Sequence, residues 1–519
     1  MKRVFVHADR YADSVLLMEA SRDAQRLPGV ADAVVVMGTP ANVERLRALG
    51  YDAPGVDKAS ANDLIVALDA EGPSEIEQAR ARIEEVFARR GDRESPTASF
   101  PVRTLSRGLE RLPGANLAVI SVPGRYAARE ARRALHRGLH VLMFSDNVTI
   151  EEEIALKDEA LTRGLLMMGP DCGTAILAGV PVGFANVVAR GTIGIVGASG
   201  TGIQEISCAV DRLGGGISHA IGTGGRDLDE RVGGKMSVSG IAALAEDPLT
   251  EALVVVSKRP SPKVADRVLA ALVEAAKPAV ACFLGGDGEV TAEEGSVPVV
   301  GTLARTAVEA CRLAGLTVPP GALQEDPSRL RAWVCEDAAC LGAAQRCGRG
   351  LFAGGSLCQE AAMVLAREGL EVSANVGADG VQRVSPDASP SGNVLWDLGD
   401  DGFTLGRPHP MIEPALRDEQ VAQAVDDTSV GVLLLDVVIG YGSHEDPAGS
   451  LANAVREARS RCSARGEGLA VVASVTGTER DPQRRSAQVE TLAAAGVRVL
   501  PSNAAAAAYA AMLLRRLSH

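Results

Sequence analysis

The chain has 519 residues, 46% of them hydrophobic and 23% charged, with 3% aromatic residues and a net charge of −13. An acidic chain poor in aromatics lacks the phosphate-neutralising stripe and the stacking platforms of nucleic-acid binders, and no apolar run approaches the roughly 20 residues of a membrane span. Nine cysteines spread over this length do not form a disulfide framework, and with no signal-peptide core after Met1-Lys2-Arg3 a cytoplasmic location is expected, with neither nucleic acid nor membrane as partner.

At about 150 residues per domain the length accommodates roughly three or four domains. In the first hundred residues Val4-Phe5-Val6, 33–36 and 64–67 read as strands, and 12–27, 40–49 and 74–90 as helices, which predicts an N-terminal α/β domain over 1–100. The charged stretch 89–101, with Gly91 and Pro96, reads as a linker. A second unit, 101–190, opens with a strand at 117–122 that ends in Pro123-Gly124, and a second strand follows at 140–144. Thr149, with Glu151, Glu152 and Glu153 behind it, starts a helix that leads to a strand at 165–168. The loop Gly169-Pro170-Asp171-Cys172-Gly173-Thr174 comes next. Alternating strands and helices predict a parallel, Rossmann-like sheet whose ligands gather at the carboxyl ends of its strands.

The most informative features are two glycine-rich turns, Gly197-Ala198-Ser199-Gly200-Thr201-Gly202 and Ala353-Gly354-Gly355-Ser356, each between a short apolar run and an amphipathic segment. Each reads as a strand entering a helix, where free amides and the helix dipole suit phosphate or an oxyanion. Glycine keeps a Cβ from holding the anion away from those amides. Strands at 253–256, 279–284 and 297–300 follow the first turn, and strands at 432–435, 469–472 and 497–500 follow the second, so 191–317 and 350–519 read as duplicated open α/β units. The second carries an insertion around 371–425, and 318–349, rich in Pro, Asp, Arg and Cys, joins the two.

Other polar residues have both a functional and a structural reading. Arg407 and His409 share a proline-bounded loop, where a guanidinium can grip a carboxylate and an imidazole can move a proton, or where both tie down local backbone. Arg226 and Asp227 follow a third glycine cluster, as substrate contacts or as a structural pair. Asp400 and Asp401 are either a solvated acidic turn or a Mg²⁺ pair. His219 and His444 lie beside glycine-rich loops and read as packing residues, and Cys172 as a buried thiol. Cys335, Cys340, Cys347 and Cys358 lack the paired C-x₂-C spacing of a zinc site, so no metal centre is predicted.

Taken together, these residues resemble the succinyl-CoA synthetase superfamily and, over nearly the whole chain, the FdrA proteins, which are acyl-CoA synthetase-like. Ser121-Val122-Pro123-Gly124, the 169–173 loop and Gly194-Ile195-Val196 with Ser199-Gly200-Thr201 are similar to the CoA-binding and ligase regions of the synthetase α subunit. The stretch 352–519, with Gly440-Tyr441-Gly442 and Thr476-Gly477-Thr478, is similar to the β-subunit ligase domain. The more distinctive FdrA strings lie at 37–42, 144–149, 222–228, 397–401 (Asp397-Leu398-Gly399-Asp400-Asp401), 406–411 and 501–503.

The resemblance implies a CoA-binding-type Rossmann domain followed by two flavodoxin-like ligase-type domains. In the synthetases the two glycine-turn helices stabilise a phosphohistidine carried on a Gly-His-Ala-Gly-Ala segment. Here that place reads Gly285-Gly286-Asp287-Gly288-Glu289-Val290, without histidine. No nucleotide-grasping region and no glycine-rich CoA loop are matched either. The FdrA resemblance implies a subunit of an oxamate carbamoyltransferase, acting in purine-ring nitrogen catabolism and phosphorolysing oxalurate to oxamate and carbamoyl phosphate. Phosphate would be a co-substrate held by Ser199, Gly200 and Thr201 with Gly355, Ser356 and Leu357. In that reading Ser199, Ser356 and His409 are catalytic, and Arg226, Asp227, Arg407, Asp171 and Cys172 contact substrate. Two alternatives stand beside it. One is NDP-forming ligation of an acyl acid to CoA with a separate nucleotide-binding subunit, and the other is a noncatalytic phosphate- or CoA-binding scaffold.

Overall fold

The computed structural model describes the chain except for residues 11, 13, 52, 54, 61, 93–101, 287, 293, 294, 405, 406 and 519. Most of the linker expected at 89–101 therefore lies outside the described residues, as do Asp287 and Gly406. The chain forms two compact units, Met1–Arg103 and Thr104–His519.

In the first unit, strands Lys2–His7, Leu64–Ala70 and Val30–Met37 form an antiparallel sheet with Leu64–Ala70 in the middle. Period-two alternation gives that strand two apolar faces. Leu64, Val66 and Leu68 meet helices Ser14–Gln25 and Pro73–Asp92 through Leu17, Ala20, Ile76 and Ile83. Ile65 and Ala67 pack with Val43, Leu46 and Tyr51 on the other face.

The second unit contains three sheets. Leu117–Ile120, His140–Met143 and Met167–Met168 form a small parallel sheet, with helix Gly124–Leu135 and the Thr149-capped helix Ile150–Thr162 as crossovers. The expected loop at 169–174 leads into a hairpin, Thr174–Leu177 and Val180–Gly183, which joins the next sheet. This hairpin was not visible in the sequence pattern, because Ala178-Gly179 is its only turn signal and the strands are four residues each.

The eight-stranded sheet has a parallel core in the order Gly295–Val300, Ala279–Phe283, Ala252–Ser257, Arg190–Gly197, Ile217–Gly222. The seven-stranded sheet is wholly parallel, and its order Arg498–Leu500, Ala470–Thr476, Val430–Val438, Cys347–Phe352, Asn393–Asp397 repeats that core strand for strand. The mainly parallel α/β architecture expected from sequence is the one observed, with antiparallel pairing in the N-terminal sheet and at both edges of the eight-stranded sheet.

Two further differences from the sequence reading have local causes. The segment 371–425, read as an insertion, contains Asn393–Asp397, which flanks the second glycine-turn strand. Only Val394, Leu395 and Trp396 announce it between polar residues. The segment 318–349 holds helix Pro327–Ala339, started by Asp326, whose side chain accepts from the Ser328 and Arg329 amides, and by a proline at its first position. Its Trp333 packs edge-on against Tyr509 of helix Asn503–Ser518, with ring centroids 6.3 Å apart.

Candidate functional site

Both glycine turns are strand-to-helix junctions. Arg190–Gly197 enters helix Gly200–Arg212, and Cys347–Phe352 enters helix Gly355–Arg367. Buried core strands on both sides fix where each helix starts, and the two starts meet. The hydroxyls of Ser199 and Ser356 are 2.5 Å apart, and a methyl group placed on Gly354 would lie 3.0 Å from the Thr201 methyl carbon. Among the described residues, no protein acceptor takes the amides of Gly200, Thr201, Gly355, Ser356 or Leu357. Gly200, Thr201 and Gly355 are partly exposed, while Ser199 and Ser356 are buried. The structure thus brings all six expected phosphate-binding residues to one place.

The two starts are capped differently. Ser199 accepts the Gly202 amide at 2.9 Å. Gly354 has no side chain to do the same, and Asp436 of strand Val430–Val438 accepts the Ala353 and Gly354 amides at 2.8 and 2.9 Å. Arg417, itself buried, donates to the Asp436 carbonyl at 2.7 Å and lies 3.7 Å from its carboxylate. Burial holds the Asp436 carboxyl above the ordinary range. Asp436 escaped the sequence reading, which ended that strand at Leu435. An aspartate between Leu435 and Val437 is the signal that could have marked it.

A second carboxylate, Asp397, ends the neighbouring strand. Asn375 pins its backbone through two hydrogen bonds of 2.8 and 2.9 Å, and the Gly399 amide donates to its Oδ1 at 3.0 Å. Its Oδ2 lies only 2.4 Å from where a Cβ on Gly355 would be, so glycine there lets the carboxylate approach the helix start. Burial pushes the Asp397 carboxyl up to about 6, against the pull of Lys258. His409 reaches the same corner, since a methyl on Gly399 would be 2.4 Å from His409 Nε2 and 3.2 Å from Asp397 Oδ1. His409 Nδ1 accepts the Met411 amide at 3.2 Å, and burial lowers the imidazole to about 4, so the ring is neutral at pH 7 with its Nε2–H facing the site.

The loop past the carboxyl edge of the small parallel sheet lies within electrostatic reach of the same corner. Asp171, in the left-handed region at φ 54°, feels Asp146, Asp401, Arg226 and Lys258, and burial pushes its carboxyl up to about 6. Lys258 follows strand Ala252–Ser257, and while its carbonyl accepts from the Ser257 hydroxyl, its ammonium has no protein hydrogen bond or ion pair among the described residues. The sequence reading missed it, although its position just past an apolar strand end was a usable signal.

Several other expected residues are engaged elsewhere. Asp227 is wholly buried and accepts from Lys157, the Met236 and Ser237 amides and the Ser237 hydroxyl. Arg226 pairs with Glu153 at 2.9 Å and donates to the Val148 carbonyl. Arg407 is exposed and pairs with Glu419 at 3.0 Å. Cys172 is buried, as the structural reading expects, and burial pushes its thiol up to about 12. Asp400 accepts the Gly402 amide. His219 and His444 accept the backbone amides of Ala178 and Asp446. All nine cysteines are free, and no cluster of three metal-type ligands occurs among the described residues.

The architecture and the apposed turns are those of a CoA-ligase-like fold. The CoA-ligase family model matches residues 351–513, the CoA binding domain model matches 189–285, and the AllF heavy metal-associated domain model matches 1–100. The chain is 40% identical over 495 residues, 95% of each chain, to the uncharacterized protein YahF of Escherichia coli strain K12. It is 28% identical over 43% of its length to succinate–CoA ligase [ADP-forming] subunit alpha 2 of Archaeoglobus fulgidus, covering 66% of that protein. It is 30% identical over 31% of its length to the alpha subunit of Aquifex aeolicus, covering 53% of that protein. The chain belongs to the succinyl-CoA synthetase-like family that includes YahF.

Residues 1–100 contain no cysteine and a single histidine, His7, so they do not fit the soft-metal site that the domain's name implies. No helix among the described residues is long and apolar enough to cross a membrane.

Proposed function

We propose that this chain handles an acyl phosphate, as one subunit of an NDP-forming acyl-CoA synthetase-type enzyme whose nucleotide is bound by a partner. The observation that carries this reading is the 2.5 Å contact between Ser199 and Ser356, which focuses two helix starts and five unpaired amides on one position. Phosphate oxygens would accept from Gly200, Thr201, Gly355, Ser356 and Leu357, and Lys258 would balance charge at the rim. The same donors would steady an oxyanion, and one such donor is worth about 3–4 kcal/mol in the transition state. Family membership and the succinate–CoA ligase relatives support ligase-type chemistry.

A second reading, phosphorolysis of oxalurate to oxamate and carbamoyl phosphate in an FdrA-type complex, uses the same position. It is favoured by the absence of histidine from 285–290 and by the AllF domain match. The assay that decides presents the chain, alone and with candidate partner subunits, with succinate-type acids plus CoA and ATP, or with oxalurate plus phosphate. Turnover of only the first mixture upholds ligation, and turnover of only the second replaces it with carbamoyl transfer. In either case folded Gly200→Pro, which lacks an amide donor, is expected to lose phosphate binding by ³¹P NMR. Unchanged binding would remove the helix starts from the mechanism.

A further inference from the structure

Two carboxylates approach the start of helix Gly355–Arg367, and they are not equivalent. Asp436 is fully buried, and both its oxygens are taken by the Ala353 and Gly354 amides. Asp397 is partly exposed. Its Oδ1 accepts one amide, and its Oδ2, the oxygen that faces Gly355, has no protein donor among the described residues. Its backbone is held on both sides by Asn375, so the free oxygen is aimed rather than mobile. Glycines at 355 and 399 leave the space it needs, since a Cβ at either would crowd Asp397 or His409. One carboxylate is therefore a fixture of the turn, and the other is an open proton acceptor beside the unpaired amides.

From this geometry, and resting on the reading above, we infer that Asp397 is the catalytic acid–base of the phosphate position, held in place by Asn375, with His409 beside it and Lys258 balancing its charge. In the step it serves, an oxygen of hydrogen phosphate forms a bond to the acyl carbon, and the bond from that carbon to its leaving nitrogen or sulfur breaks. The phosphate hydroxyl proton passes to Asp397 and from Asp397 to the leaving atom. The substrate class is thus an acyl donor whose leaving group departs as N–H or S–H.

The titration that follows belongs to a defined set of neighbours. Asp397 faces Lys258 just past strand Ala252–Ser257, Asp436 from Val430–Val438, Cys358 from helix Gly355–Arg367, and Asp400 and His409 from its own side of the site. Lys258 draws its carboxyl down, while burial, Asp400 and Asp436 raise it to about 6. His409, at about 4, does not change charge in that range.

The test measures kcat and the phosphate KM between about pH 5 and pH 8 in the phosphate-consuming direction of whichever reaction above turns over, acyl-CoA plus ADP and phosphate or oxalurate plus phosphate, with ³¹P NMR of inorganic phosphate in parallel. The wild-type kcat is expected to fall on the acid side with an apparent pKa near 6. Asp397→Asn is expected to lower kcat by about 100-fold or more, abolish that limb, and leave phosphate binding within about threefold. Asp171→Asn is included because Asp171 is also held at about 6, and the limb should persist in it whatever its effect on rate. A flat wild-type profile overturns the inference without any variant, as does Asp397→Asn with near wild-type kcat or a surviving limb. Absence of both phosphate binding and turnover in the wild type is a different result, which removes the proposed function and this inference with it.

Discussion

The two glycine turns occupy the same position in duplicated sheets, yet one is finished by a hydroxyl and the other by a buried carboxylate. In the first, the Ala198 amide bonds the Val256 carbonyl of the neighbouring strand, and Ser199 caps the helix itself. In the second, the cap position is Gly354, and the neighbouring strand supplies Asp436 as the oxygen acceptor. The serine has moved two places along, to Ser356, where it meets Ser199 across the interface between the halves. Both helices then carry a Gln-Glu pair at the same distance from their first residue, Gln204-Glu205 and Gln359-Glu360. Glu205 accepts from Thr476 in the other half, and Glu360 from the Leu303 amide and Asn503. The first turn is therefore open to an incoming anion, while the second has one anion built in and presents its remaining amides next to it.

This comparison can be broken most severely at Asp436. Asp436→Ala strands two amides and the buried Arg417, and loss of one member of a buried charged pair costs about 3–5 kcal/mol. Urea denaturation at constant slope should read that loss, and a variant within about 1 kcal/mol of wild type would mean the second turn does not depend on its carboxylate.

The next effect is on pH dependence. Burial lifts the Glu360 carboxyl from 4.5 to about 7, so the folded chain holds the proton more tightly than the unfolded one. Its contribution to stability is full below about pH 4.5 and is lost as pH rises through about 7. Glu360→Gln carries no such loss, and its amide can donate to the unpaired Asn503 Oδ1 after that side chain flips. It should gain about 2–3 kcal/mol on wild type between pH 5 and pH 8. An equal difference at the two pH values would refute the assignment.

Smaller effects sharpen the contrast between the caps. Ser199→Ala removes a side-chain cap and should cost about 1 kcal/mol, with weaker phosphate binding. A double-mutant cycle with Ser356→Ala should give a coupling of about 0.5–1 kcal/mol between the two hydroxyls. Zero coupling in solution would mean that the two helix starts do not meet.

Legibility followed the kind of signal. Strand-turn-helix junctions at 197–202 and 353–356 were readable because glycines stood between a β-run and a helical stripe, and the six amide and hydroxyl residues came with them. Asp397 lay inside a string that marked the family, but nothing local gave it a task, because Gly355, His409 and Lys258 arrive from separate stretches of chain. Lys258 and Asp436 carried only a positional signal at a strand end or inside an apolar run, while Asp227 looked like a substrate contact until the fold wrapped Lys157 and Ser237 around it.

The order of residues by itself determined the α/β class, the repeated turn and the absence of a histidine from 285–290, since periodicity, glycine placement and composition are local properties of a chain. Only the tertiary structure decided that Ser199 touches Ser356, that Asp436 is closed while Asp397 is open, and that Arg407 faces solvent. Those outcomes depend on which strand lies beside which and on how much water is excluded between them. Both are set by packing between segments that lie far apart in the chain.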